Sequence, residues 1–167
     1  MKASMDNDAQ PDRMMAAIGE AMVLGRGGDA AGARTRLIAL WEQVGATGDP
    51  LCRCTIGHYL ADLCDDAAEA LTWDVRALDA ADALTDDRAK AHHASLSVAG
   101  FYPSLHLNLA DNYRRLGSFA AAARHLEEAR RRLGALADDG YGQTVRAGVD
   151  HVAAALAAGS TERLSSH

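Results

Sequence analysis

Cys54 and His58 stand one helical turn apart, so a helix through them carries a thiol and an imidazole on one face. Such a pair offers two ligands to a metal ion, or a nucleophile with its general base. Cys64 and the adjacent His92-His93 are the further groups such a site would recruit. The rest of the signature is missing. There is no Cys-x-x-Cys and no His-Glu-x-x-His. Cys52 and Cys54 point about 200° apart on a helix and do not chelate together. Nothing marks a third group to orient the pair or an oxyanion donor. Small buried cysteines are common in helical cores, and that is the expected role of all three. Of His92 and His93, which diverge by about 100° on a helix, one is expected in solvent and one packed. Gly25-Arg26-Gly27-Gly28 has neither a preceding strand nor a following Lys-Ser/Thr, so it is no phosphate loop. No metal and no cofactor are expected.

These groups must be positioned by helices. The chain has 167 residues, 36 of them alanine and only 3 proline, and alanine favours helix over strand. The formal net charge is −6, without the basic stripe of a nucleic-acid binder. The run Arg130-Arg131-Arg132 follows Glu127-Glu128, the spacing of a solvated, internally paired helix face. No run of 18 apolar residues is present, so no membrane span is expected. Three cysteines and a polar, acidic start, Met1 to Asp8, point to a reducing, cytoplasmic setting.

Periodicity and stop signals divide the chain into a loose tail over 1–10, one domain over 11–158 and a second loose tail over 159–167. Pro11, Pro50 and Pro103 each read as a first-turn proline. Helices are expected over 11–26, 30–44, 50–63, 67–84, 87–99, 103–116, 118–137 and 141–158. Asp29, the Asp65-Asp66 pair, Thr85-Asp86-Asp87 and Ser118 serve as caps. The fourth helix sets Leu71, Val75, Leu78 and Ala81 at core spacing, and the last sets Val145, Val149, Val152 and Leu156. Trp41 and Trp73 read as core fillers. Phe101-Tyr102 reads as the anchor of an irregular insertion over 85–102 or as the lining of one end of a groove, and His106 as a half-buried packing residue.

Short turns make neighbouring helices antiparallel, and the pairs resemble one another. From Pro103, small and large residues alternate through Leu109-Ala110, Tyr113, Leu116-Gly117, Phe119, Ala122, Leu126 and Ala129. From Pro50, Ile56-Gly57, Leu60, Leu63, Ala70 and Ala77 repeat the pattern. Ala21, Leu24, Gly28, Ala33 and Leu37 give a weaker first copy. This pattern resembles the tetratricopeptide repeat, a 34-residue helix–turn–helix. The resemblance implies an all-α fold of antiparallel hairpins stacked as a short α-solenoid. It has about three units and a C-terminal capping helix.

The resemblance also implies a concave groove lined by the first helix of each pair, which in that family usually binds peptides. By position the groove receives Ile18 and Met22, then Cys54, Thr55, His58 and Asp62, then Leu107, Asn108, Asp111, Arg114 and Arg115. The lysines of a carboxylate clamp are absent. Asp111 and Arg115 also fit an ordinary i,i+4 surface pair. The expected function is a non-catalytic adaptor or regulator that binds a protein or peptide, with self-association into a homodimer as a way to bury open ends. The rival is a small-molecule or metal site, with or without enzymatic chemistry, around Cys54, His58 and Asp111.

Overall fold

The computed structural model describes residues 2–93 and 97–165. Among them are eight α-helices, two 3₁₀ turns and no strand, as the all-α reading expects. The helices are α1 (Lys2–Arg26), α2 (Ala30–Val44), α3 (Pro50–Asp62), α4 (Ala67–Asp82), α5 (Asp86–His92), α6 (Tyr102–Arg115), α7 (Phe119–Arg132) and α8 (Gly140–Ala157). The start signals act locally. The side chains of Asp29, Asp49, Asp66, Thr85 and Asp139 each accept an N–H from the residue three further on, which satisfies an orphan donor of the first turn. Ser118 makes no such side-chain bond.

Two boundaries differ from expectation. Pro11 lies inside α1 rather than at its start, and the segment expected as a loose tail is helical from Lys2. No glycine or second proline interrupts residues 2–10; Pro11 takes one N–H from the ladder and crowds the carbonyl four residues back, and the helix runs through it. The expected helix over 87–99 is shorter. α5 stops at His92, residues 94–96 lie outside the described residues, and Val98–Gly100 is a 3₁₀ turn. Both His92 and His93 are exposed. Phe101 and Tyr102 do anchor this segment: both pack on Cys54, Ala77, Ala80, Ala81 and Leu105, and the Tyr102 hydroxyl donates to Asp82 at 2.7 Å.

α1 packs on α2, α3 on α4 and α6 on α7; α4 lies against α6, and α8 against α6 and α7. One core cluster joins Ile18, Ala21, Leu37, Ile56, Leu60 and Trp73. Another joins Leu107, Ala110, Leu126, Ala129, Val145, Val149 and Val152. Trp41 and Trp73 meet edge to face at 5.3 Å. Close approach rests on small residues. A Cβ built on Gly57 would lie 3.1 Å from the Trp73 carbonyl oxygen and 3.2 Å from Ala77 Cβ. Gly57→Ala therefore gains about 1 kcal/mol of helix propensity and loses about 1–3 kcal/mol to overpacking against backbone. The net expected cost is about 1 kcal/mol, readable from the urea midpoint.

The stripe on α4 is rotated from the expected one. Val75 is exposed, and the buried face is Ala70, Trp73, Asp74, Ala77, Ala80 and Ala81. Alanines on that face let α4 sit close to α3 and α6, which a Leu71–Val75–Leu78 stripe would prevent.

Between α6 and α7 four rings stack in series: Tyr102 on His106, His106 on His125 and His125 on Tyr113, with centroids 6.2, 5.4 and 5.4 Å apart. The two imidazoles meet Nδ1 to Nδ1 at 3.1 Å, so one donates and the other accepts. Both are held below the ordinary imidazole value. Burial is the main cause for each, followed by the facing His125 and by Arg132 at His106, and by Arg124 at His125; Glu128 opposes at both and Asp82 at His106. The unfolded chain therefore takes up protons that the folded pair refuses. Stability is present above the unfolded value of about 6.5 and is lost as pH falls below it. Melting curves at pH 7.5 and 5.0 should show this drop, and a smaller drop in His125→Gln.

Candidate functional site

α3, α4, α6 and α8 line an open groove of about 410 Å³. α3 contributes His58 and Asp62, one turn apart. α6 contributes Asn108, Asp111, Asn112 and Arg115 at spacings of three and four. α4 contributes Asp74, and the chain beyond α8 contributes Arg163 and Leu164. His58, Asp62, Asn108, Asp111 and Arg115 thus line one space. Cys54 lines a neighbouring cavity of about 480 Å³ with Tyr59, Phe101, Leu105 and Tyr141, and His58 borders both. Cys54 and Asp111 do not share a cavity. Ile18 belongs to the core, 1% exposed.

Arg114 is not on the groove surface. It is 0% exposed. Its Nε and Nη2 donate to Asp111 Oδ1 at 3.0 and 2.6 Å. Nη1 donates to the Ser160 carbonyl at 2.6 Å and Nη2 to the Glu162 carbonyl at 2.9 Å. So the i,i+3 pair Asp111–Arg114 forms, and Arg115 donates to the Asp65 carbonyl at 2.6 Å.

Residues 159–165 are accordingly no loose tail. α8 ends in a Schellman turn: Gly159 takes φ +64°, and the Ser160 N–H returns to the Ala155 carbonyl at 3.0 Å. That turn aims the chain back over α6. Arg163 pairs with Asp65, and Leu164 packs against the Leu107–Val145 core. The signal for this was Gly159, a left-handed glycine at a helix end, which also fixes a direction of exit.

Asp74 was not singled out in the sequence and is the most unusual group in the site. It is 1% exposed. Oδ2 accepts from Asn112 Nδ2 at 2.7 Å. Oδ1 is buried without a hydrogen-bond partner, and His58 Nδ1 lies 3.9 Å from it. Asn108 Nδ2 stands 3.4 Å from that same ring nitrogen. Burial first, then the charges of Asp62 and Asp111, push the Asp74 carboxyl well above its usual range, against the amides of Asn108 and Asn112. A charged residue among Ala70, Trp73, Ala77 and Ala81 was the available signal.

The thiols are poor chemistry. Cys52, Cys54 and Cys64 are free and buried. Burial pushes the Cys52 and Cys54 thiols up to about 12, with Asp49 adding to the first and Asp74 to the second. A protonated thiol is neither a nucleophile nor a metal ligand. Among the described residues, no group of three or more His, Cys, Asp or Glu side chains is arranged to hold a metal ion, and no helix is long and apolar enough to cross a membrane. No protein-family model, curated protein or solved structure matches this chain.

Proposed function

We propose that this chain is a non-catalytic peptide-binding module. It is a short stack of tetratricopeptide-like hairpins, α1–α2, α3–α4 and α6–α7, capped by α8. The groove between α3, α4 and α6 receives an extended segment of a partner protein. One observation carries the reading. The chain's own residues 160–164 run along the edge of this groove: the buried Arg114 holds two of their main-chain carbonyls from beneath, and Arg163 and Leu164 line the groove itself. Main-chain recognition of this kind is indifferent to side-chain identity, so it suits a foreign segment as well as the native one. Specificity then falls to the polar wall of His58, Asp62, Asn108 and Arg115.

The test is selection of displayed random peptides on the wild-type protein, followed by affinities on His58→Ala/Asn108→Ala. These two side chains are half-buried and leave Arg114 untouched. Selected peptides should bind about tenfold more weakly to the variant, with the melting temperature shifted by no more than about 2 °C. Peptides that bind both proteins equally, or a selection that enriches nothing, would sink the proposal.

A further inference from the structure

The carboxylate at the floor of the groove has a binding partner to find. Asp74 Oδ1 is buried and accepts no hydrogen bond. Leaving a buried carboxyl oxygen without a hydrogen bond is among the costlier arrangements a fold can hold. The nearby arginines are otherwise engaged: Arg114 on Asp111 and the tail, Arg115 on the Asp65 carbonyl, Arg163 on the Asp65 carboxylate; His58 Nδ1, at 3.9 Å, stands beyond hydrogen-bond distance of Oδ1. Asp62 and Asp111 line the same space and add negative field. The donor set does not suit a metal ion. The groove, at about 410 Å³, has room for an alkyl chain ending in a charged head.

We propose that the groove takes an organic cation, a primary ammonium or guanidinium, whose N–H groups meet Asp74 Oδ1 while Asp62 and Asp111 balance its charge. Resting on the peptide-binding reading, the cation is a lysine or arginine side chain of the bound segment, which parts the His58–Asn108 contact to reach Oδ1. The same chemistry on a free amine is the other source, and the arms of the test separate the two.

Three probes are titrated into the full chain by NMR: n-butylammonium, acetyl-Gly-Lys-Gly-amide and its norleucine counterpart. The lysine peptide should bind at least about tenfold tighter than the norleucine peptide, the worth of a hydrogen-bonded charge. Asp74→Asn, which keeps shape and removes charge, should abolish that preference. Asp62→Asn, at an exposed position, should reduce it about threefold, and serves should Asp74→Asn fail to fold. Butylammonium binding as tightly as the lysine peptide supports the cation site and assigns it to free amines, which counts against the peptide reading alone. Equal binding of the lysine and norleucine peptides overturns the cation site and leaves the peptide groove standing. No saturation by either cation up to about 10 mM overturns the cation site.

Discussion

Arg114→Ala is expected to lower the melting temperature by roughly 6–20 °C. The guanidinium is fully buried, and four hydrogen bonds leave it, two to Asp111 and two to main-chain carbonyls of the C-terminal segment. Removing one member of a buried charge pair costs about 3–5 kcal/mol, because the other charge stays behind without compensation. At this chain length each kcal/mol moves the midpoint by about 2–4 °C. The lower half of the range is favoured, since Asp111 is 14% exposed and regains some water. Arg114→Lys should recover less than half of the loss: one ammonium cannot reach Asp111 and two carbonyls in the planar fork that the guanidinium spans. Calorimetry gives the midpoint, and hydrogen exchange should show residues 160–164 opening before the helices. A midpoint within about 2 °C of wild type would mean that Arg114 does not hold the fold.

Asp74→Asn should stabilise the protein, and more so as pH rises. The Asp74 carboxyl is raised in the folded state, so between the ordinary value of about 3.9 and the raised one the folded chain holds a proton that the unfolded chain has released. Its contribution is fully present below about pH 4 and is lost as pH rises through the folded value. While Asp74 bridges that window the slope is at most about 1.4 kcal/mol per pH unit. Asparagine still offers an acceptor to Asn112, carries no charge to desolvate and has no slope. Urea unfolding of both proteins at pH 4.5, 6 and 8 should give curves that diverge upward for the variant, reaching about 1–3 kcal/mol. Parallel curves would mean that Asp74 is no more perturbed folded than unfolded. A group that weakens the empty protein and binds a cation is the usual exchange of stability for function.

Helices and their order were legible because alanine content, glycine stops and Asp caps act within four residues. The polar wall was legible for a similar reason. His58–Asp62 and Asn108–Asp111–Arg115 each repeat at helical spacing, and the positions implied by the repeat resemblance put them on one groove; in the structure they line one space. Arg114 was harder. Its neighbours on the face suggest exposure, and what buries it is a segment 46 to 48 residues further on. Asp74 was hidden by larger residues. Leu71, Val75, Leu78 and Ala81 suggest an apolar stripe, whereas the helices approach through a face rotated from it, where Asp74 sits among alanines. The C-terminal segment, short and polar, has no periodicity to read. The glycine turn and tertiary contacts with Arg114, Asp65 and the core give it a place.

Both tryptophans lie in the cluster shared by α1 to α4, while α6, α7 and α8 contain none. Indole emission therefore monitors one half of the molecule, whereas the ellipticity of the helices monitors all of it. Unfolding followed by both signals tests whether the packing of α4 on α6 couples the halves into one cooperative unit. Superimposable curves mean that it does. Ellipticity lost ahead of emission means that the half carrying Arg114 and the C-terminal segment opens first, and that the groove can come apart while the tryptophan core stays folded.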